Sequence, residues 1–426
     1  MSISSQKGSK KNVNIQIGGS VQNGIFIIGD NNTVVNTDIR PIEWDVIRNT
    51  SSKLSEPRLQ VVEGRMNSEL YIDRLTIKNE ILKFLSDDNK KILALVGNSG
   101  YGKSAFLWGL AQYFKQCEDI AYLFCDASLH LKENASVITT LLLDLARILG
   151  MKPENILPML NYSLKNDQKL VIIIDAVNEF SKMQDVEYIL RDLNTLIANY
   201  KWIKLILSCR PHFWKYIYSQ KGAIGISDRY FFMDEKSGEL YITVGKLDEA
   251  ETKLFYQKYQ SNYKLKPVLF DDLNPLMKKR LSEPLLLWLI SEICTGEDVS
   301  KRNDLIIDIK AIPEYIKKLE EHRELFESEG DIAFLQNTLP KMFFRDGICN
   351  NYIYRSYLTR NSEISNIDQI LYRLIRSGVL KEDGAGRLSF SFERFFGYYS
   401  GIQIRKIAAQ GIMLNCVQDT EIMKGG

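Results

Sequence analysis

Eight consecutive residues, Gly97, Asn98, Ser99, Gly100, Tyr101, Gly102, Lys103 and Ser104, satisfy the pattern G-x-x-x-x-G-K-[ST]. The pattern has a use only where a buried strand ends in a tight loop that opens a helix, so it constrains the surrounding fold strongly. Glycines let the backbone curl until successive N–H groups point inward at phosphate oxygens. The following helix adds its positive N-terminal end. Lys103 is expected to reach the β- and γ-phosphates of ATP or a related nucleotide, and Ser104 to bind Mg²⁺ through its hydroxyl. Ala105 continues the same nucleotide-binding stretch. The context fits, because the apolar run Ile92–Val96 leads into the loop and a helix-like stretch follows through Phe114. A chain of this length matches the pattern by accident on the order of one time in a hundred. A phosphate site is therefore the expectation, against a merely structural Gly-rich turn.

Such a loop needs a carboxylate on a neighbouring strand to hold the magnesium shell. The run Val171, Ile172, Ile173, Ile174 ends in Asp175, and Glu179, four residues on, is placed to orient or activate an attacking water. The competing reading is that Asp175 caps a helix. A further apolar run, residues 204–208, leads to Cys209, Arg210 and Pro211, where Arg210 is expected to sense or stabilise the γ-phosphate.

Around these motifs, apolar runs at 92–96, 120–125, 171–174, 204–208 and 240–244 alternate with helical segments. The expected fold is α/β, with a parallel P-loop sheet of the ASCE type covered on both faces. From about residue 248 the pattern turns helical, at 249–259, 284–293 and 313–327. A helix at 364–376 and a hairpin around Asp383, Gly384, Ala385 and Gly386 then read as a winged helix. Residues 13–21 and 25–35 are rich in β-branched residues, and Asn23-Gly24 between them favours a hairpin turn. The expected division is a β-rich N-terminal segment to residue 40 and a linker at 41–70 with a helix start near 41–46. An NTPase domain at 71–247, a helical domain at 248–340, a winged helix at 341–402 and a tail complete it.

Composition excludes several classes. The net charge of +2 over 426 residues gives no global field towards nucleic acid or membrane. Six scattered cysteines and three histidines lack the spacing of a zinc site or a disulfide scaffold. No apolar run approaches the roughly 18 residues of a membrane span, and a cytoplasmic protein with free thiols is expected.

Several segments resemble the STAND class of P-loop NTPases, especially its NACHT and NLR-like branch. Asp175-Ala176-Val177-Asn178-Glu179 is similar to the second motif of that class, with Asn178 where an acidic residue is common. Ser208-Cys209-Arg210-Pro211 resembles the sensor-1 segment, and Tyr71-Ile72-Asp73-Arg74 the short motif before the first helix, whose arginine lies near the nucleotide. Ser282-Glu283-Pro284-Leu285-Leu286-Leu287 resembles the proline motif of the helical domain, which places Pro284 near the base. Phe390 to Phe396 resembles the end of the winged helix, with Phe392 where many members carry a phosphate-contacting histidine. The resemblance covers about residues 70–402. It implies a switch ATPase that oligomerises on sensing a trigger, in bacteria often an antiphage or conflict protein. The trigger it implies is unidentified, a phage component or a partner sensor protein being the candidates. Members usually carry a long C-terminal sensor, and only some 24 residues follow the winged helix here, so the sensor is expected to be absent, supplied by a partner, or lost because this chain is a fragment.

Two other classes stay open at this level. One is an AAA-type ATPase acting on DNA through its winged helix, although Arg373, Arg376, Lys381 and Arg387 stand against Glu382 and Asp383 there. The other is a nucleotide-binding protein with little turnover. The segments Ile15-Gln16-Ile17-Gly18 and Ile27-Ile28-Gly29-Asp30-Asn31-Asn32 also resemble the core of the RIP homotypic interaction motif. They read equally as an ordinary hairpin or as a cross-β assembly segment.

Overall fold

A computed structural model of the chain describes residues 25–28, 33–36, 41–64, 66–127, 137–165, 167–179, 189, 191–192, 194–196, 199–224, 226–306, 308–321, 334–345, 348–349, 352–361, 364, 366–382, 386–391 and 393–409. Its centre is a five-stranded sheet of β3 (Ile92–Val96), β4 (Ile120–Asp126), β5 (Lys169–Asp175), β6 (Ile203–Cys209) and β7 (Ile242–Thr243). The strand order is β4-β5-β6-β3-β7 and every pairing is parallel. The expected strands are all present, each starting or ending within a residue or two of its apolar run.

A parallel sheet hides both faces, which is why these strands read as unbroken apolar runs rather than alternating ones. Alternate residues of β3 enter different cores. Ile92, Ala94 and Val96 pack with α4 (Val137–Ile148), α5 (Ile156–Ser163) and α6 (Pro211–Ile224). Leu93 and Leu95 pack with α2 (Leu75–Ser86) and α3 (Lys103–Gln116).

The expected linker at 41–70 contains a full helix, α1 (Trp44–Glu63), lying along the edge strand β4. Two serines adapt it to that place. Ser51 and Ser55 are fully buried. Ser55 Oγ accepts from Phe124 N at 2.9 Å and donates to Ser51 O at 2.9 Å. The helix thereby satisfies an edge-strand donor that would otherwise seek water or another chain.

Beyond the sheet lie α7 (Glu249–Asn262), α8 (Pro275–Leu281), α9 (Pro284–Ile293), α10 (Asp308–Glu321) and α11 (Leu339–Phe343). α7 opens on a capping box between Asp248 and Glu251. α10 begins five residues before Pro313, which sits inside it, and residues 322–327 of the expected helix lie outside the described residues. After a short hairpin of β8 (Phe344–Arg345) and β9 (Ile348–Cys349) come β10 (Ile353–Tyr354), α12 (Arg355–Asn361) and α13 (Ile367–Arg376). β11 (Leu380–Glu382), β12 (Arg387–Phe390) and α14 (Glu393–Ala409) follow. The three strands pair antiparallel in the order β10-β12-β11. Among the described residues, Leu286, Ile312, Leu335, Leu374, Leu388 and Phe395 belong to one apolar cluster that spans both 248–340 and 341–402.

At the N-terminus, β1 (Ile25–Ile28) pairs antiparallel with β2 (Thr33–Asn36). The run expected to be one strand of a hairpin is thus two strands, separated in sequence by Gly29, Asp30, Asn31 and Asn32, residues of the turn-forming kind. The expected partner strand at 13–21 and its Asn23-Gly24 turn lie outside the described residues. Among the described residues no helix is long and apolar enough to cross a membrane. Cys117, Cys125, Cys209 and Cys294 are free thiols.

Candidate nucleotide site

The carboxyl ends of β3, β5 and β6 meet, and the site grows from there. Gly97 is drawn against Val244, the residue after β7, so closely that a Cβ on it would lie 2.2 Å from Val244 O. Gly100 and Gly102 both take φ +83°, the left-handed region that glycine enters without strain. Gly102 precedes Lys103, the first residue of α3, so the loop's amides and the helix N-terminus face one space. Lys103 Nζ donates to Gly97 O at 2.6 Å and Asn98 O at 3.0 Å. Burial lowers the lysine from its ordinary value, while Asp175 acts in the opposite sense.

Asp175 ends β5 and is 2% exposed. Ser208, next to last in β6, donates from Oγ to Asp175 Oδ1 and accepts from Ala176 N at 2.8 Å. Burial, and then the neighbouring Asp126, raise the Asp175 carboxyl, while hydrogen bonds from Ser104 and Ser208 and the charge of Lys103 hold it down. Directly after Asp175 the chain turns at Ala176, whose φ of 55° is left-handed. Having a Cβ, Ala176 bears the steric cost of that conformation, of order 1 kcal/mol. Glu179 N closes the turn on Ala176 O at 2.7 Å, which fixes Asn178 and Glu179 over the site. Arg210 follows β6 and its carbonyl accepts from Trp214 N at the start of α6.

The loop from Ser99 onward, the acidic turn and Arg210 border one cavity of about 250 Å³. Ser99 to Ala105, Asp175, Glu179, Arg210, Arg74 and Pro284 line it, so the structure gathers residues separated by over a hundred positions in sequence. Gly97 and Asn98 form the loop's rear, held by Lys103 and β7. Two of the expected residues have further work. Arg74 is 8% exposed and donates to Gly245 O at 2.9 Å, Lys246 O at 3.0 Å and both carboxylate oxygens of Glu251. It clamps the segment before α2 to the β7–α7 connector. Pro284 lies over Gly102, and Leu285 N donates to Gly100 O at 3.1 Å, so α9 is bonded to the loop itself. Phe392 lies outside the described residues.

Residues 91–263 match the NACHT domain family. The chain carries a NACHT-type P-loop NTPase domain. No curated protein matches the sequence. Among solved structures, the chain is similar to the Walker-type ATPase PABY2304 of Pyrococcus abyssi, at 13% identity, a TM-score of 0.38, and 77% of this chain against 96% of that one. It is also similar to the Aeropyrum pernix ORC2 protein, at 14% identity, a TM-score of 0.36, and 81% against 98%. With the S. cerevisiae Hsp104:casein complex it shares 15% identity at a TM-score of 0.36, over 72% against 50%. At such distances nothing about those proteins' ligands transfers to this chain.

The NACHT site has features that local motifs did not announce. Asp126 ends β4, is 1% exposed, and stands in register with Asp175, so two carboxylates share the floor. A signal existed: its strand also ends an apolar run in Asp, and a parallel sheet brings such ends together. Much of the remaining lining is apolar or aromatic, Val62, Leu70, Phe255, Tyr259 and Trp288 among it. Lys381 of β11 and Ser391 after β12 complete it. Lys381 Nζ donates to Glu179 Oε2. No local pattern marks that lysine, because its place depends on how the last segment docks.

The donors fit a nucleotide with magnesium. The glycine loop leaves a cradle that side chains would fill, Lys103 and Arg210 supply positive charge beside it, and Ser104 lies against Asp175. One or two carboxylates plus a hydroxyl, with phosphate oxygens and waters, is how Mg²⁺ is commonly held.

Proposed function

We propose that this chain is a nucleotide-dependent switch that binds ATP with Mg²⁺, hydrolyses it slowly and self-associates according to the nucleotide it holds. One observation carries this reading: the site is built from three parts of the chain at once. The loop and the acidic turn come from the NACHT sheet, Pro284 and Leu285 from α9, and Lys381 from β11. Anything that alters the phosphate end of the cavity therefore bears on contacts that dock α9 and β11.

In this reading Lys103 and the loop amides hold the phosphates, and Ser104 and Asp175 hold the magnesium shell, whose charge supports the leaving group. Glu179 orients the attacking water and Arg210 faces the terminal phosphate. Val62, Tyr259 and Trp288 receive the base. Residues 341–402 act as a winged helix, and self-association runs through nucleotide-controlled undocking, with the N-terminal β segment as the pairing element. We place the protein in an antiphage or conflict role, with a phage component or a partner sensor as trigger. The wing gives the DNA reading little support: Arg373 is buried, Lys381 is paired with Glu179, and Arg387 lies over the Tyr352 ring.

The test is mass measurement with ATP, ADP or neither, alongside turnover. Lys103→Ala should weaken nucleotide binding by roughly 30-fold or more, the loss of a desolvated charge contact. Glu179→Gln should keep binding and lose about a hundredfold or more in turnover. If assembly state ignores nucleotide and Lys103→Ala alike, the switch reading fails.

A further inference from the structure

Lys381 and Glu179 are 202 residues apart in sequence, and each is set by rigid structure. Glu179 is held by the turn at Ala176. Lys381 sits mid-strand in β11, opposite Ser389, with Leu380 before it 1% exposed in the core. The pleat that buries Leu380 turns Lys381 to the other face, towards the cavity. The strand is tied further by Ser391 N to Val379 O at 3.0 Å and by Tyr315 Oη donating to Ser377 O at 3.2 Å. The paired side chains are 16% and 29% exposed, so water screens them only in part. Little side-chain freedom remains to be lost, unlike in a surface ion pair.

We propose that Lys381 is a positioning residue that holds Glu179 out of service while the β10–β12 segment is docked. It rests on the reading above, in which Glu179 acts on the attacking water. During hydrolysis the water oxygen bonds the γ-phosphorus, the bond to the ADP oxygen breaks, and the water's proton needs a carboxylate oxygen to receive it. An ammonium on Oε2 occupies one of the two oxygens and draws electron density from the other. Undocking removes the ammonium and returns the full carboxylate, so turnover and release of the segment are one event. The brake therefore acts on the glutamate and leaves the phosphate contacts alone.

The experiment uses the full chain. Lys381→Met should raise kcat for ATP about tenfold, with KM unchanged within about twofold. Amide exchange in β11 and β12 should quicken in the same variant. Lys381→Arg, which keeps the charge, should restore both towards the native values. Glu179→Gln, read by exchange alone, should loosen β11 and β12 equally, and it decides the matter should Lys381→Met fail to fold. A raised KM at constant kcat would make Lys381 a substrate contact and overturn the proposal. So would unchanged exchange in Lys381→Met and Glu179→Gln, or an Arg variant as perturbed as the Met one. If no form hydrolyses ATP, the proposed function loses its hydrolytic half and the kinetic brake goes with it, while exchange still reports whether the ion pair docks the segment.

Discussion

At the residue scale, the loop is set by what its glycines lack. Gly97 faces Val244 O at a distance where a Cβ would sit 2.2 Å away, and that segment cannot retreat because Val244 N donates to Val96 O at 2.8 Å. Gly97→Ala should therefore destabilise the chain by about 1–3 kcal/mol, the usual range for overpacking, as read by urea unfolding. Gly401→Ala in α14, where nothing lies within 4 Å, is the contrast, and it should stabilise by up to about 1 kcal/mol through helix propensity. Equal effects at the two positions would mean that the β7 contact does not constrain the loop. Asp175 and Arg210 were legible in the sequence because they stand at or just after the end of an apolar strand, and Lys103 and Glu179 because they lie in the short patterned segments that follow one. Asp126 was less so, since its meaning comes from strand register, and Lys381 was not, since its meaning comes from docking.

At the scale of elements, α1 shows how a segment without a motif can belong to the core of the fold. Its sequence is polar on average, and the serines that dedicate it to β4 look like ordinary solvent-facing residues until the strand is beside them. Ser55→Ala leaves Phe124 N without its acceptor in a buried place. The expected cost is about 1–3 kcal/mol, with faster exchange of the Phe124 amide. Full protection of that amide in the variant would show that the edge of β4 is satisfied by something other than the helix. The five strands were readable because a parallel sheet buries both faces and so writes apolar runs. The segment 25–35, expected as one strand, holds two for a related reason: a β-prone run does not by itself mark where a strand stops, and Gly29 to Asn32 are, as residue types, as turn-prone as Asn23-Gly24.

For the whole molecule, the question is what joins α9 and the described elements after it to the nucleotide site. Glu283 is the hinge of that connection. It is 4% exposed and receives Lys246 Nζ at 2.7 Å from the β7–α7 connector and Arg394 from the start of α14. The next two residues, Pro284 and Leu285, lie on the phosphate loop. One carboxylate thus joins the NACHT domain, α9 and α14. Burial acts to raise the Glu283 carboxyl, and the bonds from Lys246 and Arg394 more than offset it, leaving it below its ordinary 4.5. A carboxyl lowered by folding contributes stability that is present in full above its unfolded value and is lost as pH falls through its folded one. Glu283→Gln keeps the shape and removes the charge, so it should cost on the order of 2 kcal/mol near neutral pH. The gap between native and variant stability, measured by urea unfolding over a pH series, should narrow as pH drops below 4.5. A gap that stays constant with pH would mean that packing around α9, rather than this charge, holds the three parts together. The same variant should loosen nucleotide binding although residue 283 does not line the cavity, because the loop's bond to Leu285 N depends on where α9 begins.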